Sequence, residues 1–182
     1  MIILVGASAS GKTEIAKLII KKYGFKKMIT TTTRPMRAGE VADIDYHFIS
    51  KEEFLKRKDN HEFLETTLYN DNYYGTHKSD VGIDKILIVE VEGANTIYNE
   101  LGNSVMIFYL EATEEERINR MYMRHDNPAD IQKRIESDRT RFNEELLNHI
   151  DYVIDTNNQT LDKLSDQIYN LYIAKKKWKR LF

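Results

Sequence analysis

One short loop constrains the fold of this chain more than any other feature. Residues 6–13 read Gly-Ala-Ser-Ala-Ser-Gly-Lys-Thr and match the pattern G-x-x-x-x-G-K-[ST]. An apolar, β-branched run at 2–5 precedes the loop and predicts a buried strand. Apolar residues at helical spacing follow from Thr13, and Gly24 predicts the end of that helix.

The residue types in this loop suit phosphate binding. Gly6 and Gly11 let backbone N–H groups turn inward around phosphate oxygens, and the following helix adds its positive end. Lys12 would place its charge on the outer phosphates, and Thr13 offers a hydroxyl to Mg²⁺. A plain strand–turn–helix corner explains the glycines but not the Lys-Thr pair. The residues predicted to bind nucleotide phosphates are Gly6, Ala7, Ser8, Ala9, Ser10, Gly11, Lys12 and Thr13.

The rest of the chain predicts one α/β domain with a parallel sheet. Its 182 residues suit a single domain, and no linker or repeat divides them. Further strands are predicted at 86–89, 105–110 and 152–154. Helices are predicted at 113–123, which opens with a capping box, at about 130–147 and at about 161–174. The stretch 26–76 breaks this alternation and predicts a small mixed insert with a helical patch at 51–58.

The composition excludes several classes of protein. The 27 basic and 29 acidic residues nearly balance, which argues against a polybasic nucleic-acid protein and against a highly charged disordered chain. Without cysteine, there is no disulfide, thiolate metal site or cysteine nucleophile. The apolar runs are far shorter than the roughly 20 residues of a membrane span, and no charged leader precedes the first of them. We therefore expect a soluble cytoplasmic protein whose partners include neither a nucleic-acid polymer nor a membrane.

A second candidate phosphate site lies in segment 30–48, which reads TTTTRPMRAGEVADIDYHF. Arg34 and Arg37 flank Pro35, which keeps the backbone extended. Two guanidinium groups suit one phosphate, because each can pair with it through two hydrogen bonds. Two neighbouring arginines alone are more often solvated surface.

Other residues of this region add donors and an acceptor. Tyr46 and Tyr74 offer hydroxyl groups to phosphate oxygens. The Glu65 carboxylate could accept the two N–H donors on one edge of guanine, an edge that adenine lacks. A site built on such hydrogen bonds discriminates strongly, because the wrong base leaves buried partners unpaired.

Taken together, these segments resemble the guanylate kinase family. The likeness runs from residue 2 to at least residue 157. It covers GASASGKT, TTTTRPMRAGEVADIDYHFIS, EFLE, NYYGT and VEVEGA in the family's order. It implies an α/β fold of the P-loop type, in which helices flank a parallel sheet, with a small mixed GMP-binding insert and a helical lid. The implied limits within one domain of residues 1–182 are a core at 1–29 and 77–182, an insert at about 30–76 and a lid at about 120–138.

The resemblance also implies an activity: transfer of the γ-phosphoryl group of MgATP to GMP, giving ADP and GDP, in purine nucleotide metabolism. The loop at 6–13 would then hold ATP. The implied GMP-binding residues are Thr30, Arg34, Arg37, Tyr46, Glu65, Tyr74, Thr76 and Glu90, and the implied Mg²⁺ ligands are Thr13 and Glu90. The implied catalytic residues are Lys12, Arg34, Arg37, Arg120, Arg124 and Arg134. Two alternatives stay open, a kinase of the same fold with another acceptor and a non-catalytic protein-binding module, although the intact Lys12-Thr13 pair argues against the module. The expected oligomeric state is monomer or homodimer.

Several arginines lie in the implied lid. Arg120 and Arg124 are four residues apart and share a helix face, and Arg134 follows. Positive charge around the transferred group is the main means of catalysing phosphoryl transfer, and a closing segment also excludes water. Arg139 and Arg141 match no motif, so we expect them to pair with acids of their own helix, namely Glu136, Asp138 and Glu144.

Three positions depart from the residues that are usual in the family. Thr30 replaces serine and keeps the hydroxyl, and Glu90 replaces aspartate and extends the carboxylate by one methylene. Ala9 replaces a glycine inside the phosphate loop, so the backbone there must suit a residue with a Cβ. The connection between 76 and 86 is short and predicts a helix of a turn or less.

Overall fold

The computed structural model describes residues 1–37, 39–69 and 71–178. The strands are β1 (Ile2–Val5), β2 (Lys26–Lys27), β3 (Thr31–Thr32), β4 (His47–Phe48), β5 (Phe63–Tyr69), β6 (Asn72–His77), β7 (Lys85–Ile88), β8 (Met106–Glu111) and β9 (Tyr152–Asp155). The α-helices are α1 (Lys12–Tyr23), α2 (Lys51–Asp59), α3 (Val91–Leu101), α4 (Glu114–Met123), α5 (Pro128–Arg141) and α6 (Leu161–Trp178).

The central sheet is parallel, with β1 in its middle. The strand order is β2-β7-β1-β8-β9, and Ile3 pairs with Leu87 on one side and Ile107 on the other. The side chains of β1 are fully buried because helices cover both faces of the sheet. This arrangement confirms the predicted α/β class.

Alternate residues of β1 face two separate cores. Ile2 and Leu4 pack in a cluster that includes residues of α1 and α6, such as Ile19 and Ile168. Ile3 and Val5 face the opposite cluster, which residues of α3 complete. Because alternate side chains of β1 are buried on opposite faces of the sheet, the strand is held on both faces, and the loop that follows it starts from a fixed position.

A second, mixed sheet is formed by part of the region that the sequence sets apart. Its order is β4-β3-β6-β5, with an antiparallel β5–β6 hairpin. Helix α2 covers it through Phe54, which is fully buried and stacks on Phe63 with ring centroids 4.6 Å apart. The limits of core, insert and lid stay a prediction.

Two predicted helix ends are wrong. Helix α5 ends at Arg141 rather than near residue 147, because Phe142 leaves helical geometry and its carbonyl accepts a hydrogen bond from the Tyr109 hydroxyl at 3.0 Å. Phe142 and Leu147 then pack against the core. Helix α6 continues to Trp178 instead of stopping near 174. The short connection after β6 is a single 3-10 turn, as predicted. In the described part of the chain, every helix is too short or too polar to serve as a membrane span.

Candidate active site

The glycine-bounded loop leaves the carboxyl end of β1, the edge at which parallel sheets bind ligands. Gly6 has a φ of 151°, and a Cβ there would lie 2.4 Å from the Leu110 carbonyl oxygen. Gly11 has a φ of 98° and precedes the first turn of α1. Both glycines are therefore required because the backbone of the loop adopts conformations that a side chain disfavours, and not because the loop must be flexible.

Lys12 is held at the centre of the loop. Its ammonium group donates hydrogen bonds to the carbonyls of Gly6 at 2.6 Å and Ala7 at 2.8 Å. Burial lowers the pKa of Lys12 to about 8, although the negative charges of Asp138 and Glu90 oppose this shift. The lysine is thus a half-buried cation with two acids near it.

A cavity of about 340 Å³ lies beside this loop and brings seven of the eight predicted GMP-binding residues together with two residues of the loop. The predicted residues that line it are Ser8, Lys12, Thr30, Arg34, Arg37, Tyr46, Glu65, Tyr74 and Glu90. The phosphate loop and the two-arginine segment therefore border one space, although they are far apart in sequence.

Glu65 forms a buried wall of this cavity. The residue is 6% exposed, and Oε1 accepts a hydrogen bond from the Thr76 hydroxyl at 2.7 Å. The Thr67 hydroxyl lies 3.4 Å from Oε2. Burial raises the pKa of Glu65, and the two hydroxyl donors act in the opposite direction. Thr76 thus reaches the site only through Glu65, whose carboxylate lines the cavity.

Arg34 is held by an acid that the sequence analysis did not single out. Arg34 Nη2 donates to Glu40 Oε1 at 2.7 Å, and Glu40 Oε2 accepts from the Arg37 backbone N–H at 2.7 Å. The arginine pair lowers the pKa of Glu40. The guanidinium carbon of Arg34 also lies 5.4 Å from the centre of the Tyr46 ring. The short spacing of three residues between Arg37 and Glu40 was the one sequence signal that could have indicated this contact.

The three predicted lid arginines do not line the cavity. Arg120 donates to the carbonyls of Ala9 at 3.2 Å and Thr156 at 2.7 Å, so it contacts the phosphate loop from outside. Arg124 and Arg134 both donate to Asp126 Oδ2, at 2.9 and 3.0 Å. The structure therefore gathers these two arginines around one acid.

The expected pairing of Arg139 and Arg141 within their own helix is wrong. Arg139 pairs with Glu114 of α4 at 2.6 Å, and Arg141 Nη1 lies 3.3 Å from Glu90 Oε2. Helix α5 packs against α4 and borders the cavity, so its arginines reach acids of other elements. Arg141 consequently lines the cavity, which its sequence context did not indicate.

Asp138 and Arg117 are further residues that sequence reasoning missed. Asp138 lines the cavity, is 5% exposed and lies 2.6 Å from Arg117 Nη1. A signal was present, because Asp138 continues the buried stripe of Ile131 and Ile135 on α5. A charge on such a stripe requires a buried partner.

The predicted Mg²⁺ ligands have suitable chemistry. Thr13 is exposed in the first turn of α1, and Glu90 occupies the position just before α3 without a capping hydrogen bond from its side chain. Hydroxyl and carboxylate oxygens are the ligand types that Mg²⁺ prefers. Burial raises the pKa of Glu90, which Arg141 opposes. Among the described residues, no group of three or more His, Asp or Glu side chains is placed to hold a metal ion.

The fold and the loop define the class of this protein. A parallel α/β sheet whose central strand leads into a G-x-x-x-x-G-K-T loop and a helix is the P-loop fold. Two solved structures have a similar fold. The chain matches a guanylate kinase from Anaplasma phagocytophilum with a TM-score of 0.69 and 22% identity, covering 96% of this chain and 85% of that one. It also matches a gluconokinase from Sinorhizobium meliloti with a TM-score of 0.55 and 12% identity, covering 98% and 95%.

Within this class, the chain belongs to the guanylate kinase family, whose model matches residues 1–172. It is 32% identical to the guanylate kinase of Bartonella henselae, over 96% of this chain and 80% of that protein. It is 34% identical to the guanylate kinase of Caldanaerobacter subterraneus, over 97% and 87%. These matches confirm the family resemblance.

Proposed function

We propose that this chain is a guanylate kinase, which transfers the γ-phosphoryl group of ATP to the phosphate of GMP. The observation that carries this proposal is the shared cavity, in which Lys12 of the phosphate loop, Arg34 of segment 30–48 and the buried Glu65 border one space. The family membership and the complete phosphate loop favour this enzyme over a protein-binding module.

The reaction needs positioning and charge rather than a covalent intermediate with the protein. A phosphate oxygen of GMP forms a bond to the γ-phosphorus of ATP, and the bond from that phosphorus to the bridging oxygen of ADP breaks. Lys12 neutralises charge on the donor phosphates, while Arg34 and Arg37 bind the acceptor phosphate with Tyr46 and Tyr74.

The acceptor side of the cavity is the part where GMP would bind. There we assign recognition of the base to side-chain oxygen atoms. Glu65 accepts hydrogen bonds from guanine, and Thr76 keeps its carboxylate in place. Thr30 and Glu90 complete this side of the cavity. Mg²⁺, held by Thr13 and Glu90 together with the ATP phosphates, would neutralise charge on the transferring group.

We assign transition-state contact to Arg120, Arg124 and Arg134 of the predicted lid at about 120–138. Arg124 and Arg134 are partly exposed and share Asp126, so closure of this segment would exchange that acid for phosphate oxygens. We also assign residues 1–29 and 77–182 to the core and about 30–76 to the GMP-binding insert. A monomer or homodimer and a cytoplasmic location stay predictions.

The decisive experiment is an assay of ADP release with MgATP and one acceptor at a time: GMP, dGMP, AMP, CMP or UMP. Turnover with GMP and dGMP alone is the expected result. Turnover with another acceptor would retain the reaction but reject the assignment of Glu65. A folded protein without turnover on any of the five would reject the proposed function.

A further inference from the structure

A buried ion pair binds the phosphate loop. Its two residues are not among the groups assigned above to catalysis. Arg117 of α4 and Asp138 of α5 lie 2.6 Å apart, and their side chains are 7% and 6% exposed. Neither residue belongs to the set assigned above to ATP, GMP or the metal ion. Charges buried this deeply are costly unless each has a partner.

Both members of this pair bind one residue of the loop. Asp138 accepts from the Ser8 backbone N–H at 2.9 Å and from the Ser8 hydroxyl at 3.2 Å. Arg117 Nη1 donates to the Ser8 carbonyl at 3.3 Å. The pair therefore fixes the amide, the carbonyl and the side chain of Ser8 at the same time.

Fixing the Ser8 carbonyl also orients the next amide. In a planar trans peptide, the carbonyl of one residue and the N–H of the next point in opposite directions. The Ser8 carbonyl points to Arg117, so the Ala9 N–H points away from it. The Ser8 N–H already donates to Asp138. The other amides of such a loop are its phosphate donors, and their direction decides whether the loop can bind an anion.

Ala9 is the position at which this support matters most. Its φ is 61°, in the left-handed region that favours glycine. Arg120 of α4 donates to the Ala9 carbonyl at 3.2 Å, so the peptide groups on both sides of Ala9 are held by arginines of one helix. Contacts of this kind can maintain a backbone conformation that the residue alone disfavours.

We propose that the Arg117–Asp138 pair is a positioning device that keeps the phosphate loop in its ATP-binding conformation and compensates for alanine at position 9. Stability alone does not explain the pair. Arg117 Nε is buried without a hydrogen-bond partner among the described residues, and apolar side chains often replace a buried ion pair without loss of stability. The inference rests on the proposed role of the loop in binding ATP.

The test replaces both charges at once, so that no buried charge is left alone. In the variant Arg117→Met/Asp138→Ala, we expect a thermal midpoint close to that of the parent. We expect the Kd for MgADP, measured by calorimetry, and the KM for MgATP to rise about tenfold, while the KM for GMP stays unchanged. A purely structural role would not separate the two substrates.

The chain offers a matched control. Arg139 and Glu114 also connect α5 to α4, but they are exposed and are not bound to the loop. The variant Arg139→Met/Glu114→Gln should leave both KM values unchanged. An equal rise in the KM for MgATP in this control would overturn the proposal, because any loosening of the two helices would then suffice.

A glycine at position 9 provides the second readout. If the pair compensates for alanine, Ala9→Gly should recover more MgADP affinity in the variant that lacks the pair than it adds in the parent protein. Equal effects in both backgrounds would overturn the compensation. Unchanged MgADP affinity in a folded Arg117→Met/Asp138→Ala protein would overturn the positioning role. Failure of the parent itself to bind MgADP would instead reject the proposed function.

Discussion

The acceptor side of the cavity and the predicted lid hold their charged groups in different ways. On the acceptor side, Glu65 is 6% exposed and receives the Thr76 hydroxyl at 2.7 Å. In the lid segment, the side chains of Arg124 and Arg134 are 54% and 40% exposed and share a single acid. One region is fixed before any nucleotide arrives, and the other keeps long charged side chains near water.

This difference predicts where each region contributes to the reaction. A buried and hydrogen-bonded carboxylate loses little freedom on binding and rejects a base that cannot pair with it. In the role proposed for them, the exposed arginines exchange water and Asp126 for phosphate, so their interaction grows as the transition state forms. Acceptor mutations should therefore change the KM for GMP, and lid mutations should change kcat.

Lys12→Ala should have the largest effect, because the role proposed for Lys12 is to neutralise charge on the transferring group directly. We expect kcat to fall by about 10³-fold, the upper part of the range for loss of one preorganised donor. The measurement is steady-state turnover with saturating MgATP and GMP. An unchanged kcat in a protein with an unchanged thermal midpoint would reject the donor site.

Glu65→Gln should be next, since it removes the charge that is proposed to bind guanine. Hydrogen bonds to charged groups contribute about 1.5–3 kcal/mol, so kcat/KM for GMP should fall by about 10–100-fold. The KM for MgATP should stay constant. Glu53→Gln, which changes an acid on α2 outside the cavity lining, is the matched control. Retention of full GMP efficiency by Glu65→Gln would contradict the assignment.

Arg134→Ala tests the other half of the comparison. We expect kcat to fall by about tenfold, a moderate loss because Arg120 and Arg124 remain and such effects are not additive. The KM for GMP should change little. Lys133→Ala alters the exposed neighbouring residue and should leave kcat intact. A rise in the KM for GMP without a change in kcat would remove the distinction between lid and acceptor side.

Much of the fold was accessible from the sequence because the signals are local. The buried run at 2–5 gave the central strand, and Thr113 does cap α4 by accepting from the Glu116 N–H. The end of α5 was missed because it depends on Tyr109, a residue of β8 that reaches Phe142 across the fold. A helix end imposed by a distant strand leaves no mark in the helix sequence.

The site shows the same division between local and distant signals. The motif residues of segment 30–48 could be singled out because they are close in sequence, and four of them line the cavity, namely Thr30, Arg34, Arg37 and Tyr46. Asp138 was missed because its partners, Ser8 and Arg117, lie 130 and 21 residues away. Arg141 was given the wrong partner for the same reason, since Glu90 lies 51 residues before it. Spacing along one helix cannot identify an acid on another element.

The pH dependence gives the smallest expected effect and separates charge from folding. The folded pKa of Lys12 is about 8, below its ordinary value of 10.5, because burial disfavours the ammonium. The charged groups that act on it are Asp138, Glu90, Arg117 and Arg124. As pH rises, Lys12 loses its charge, so kcat/KM for MgATP should fall about fourfold between about pH 7 and about pH 8.5.

The contribution of Lys12 to stability should change in the opposite direction. Between about pH 8 and 10.5 the unfolded chain holds the proton that the folded chain has released, so the contribution of Lys12 to the free energy of unfolding increases with pH. Turnover and urea denaturation measured over the same pH series test both directions. A parallel loss of activity and stability would assign the pH effect to unfolding, whereas activity that falls while this contribution to stability rises would assign it to the charge of Lys12.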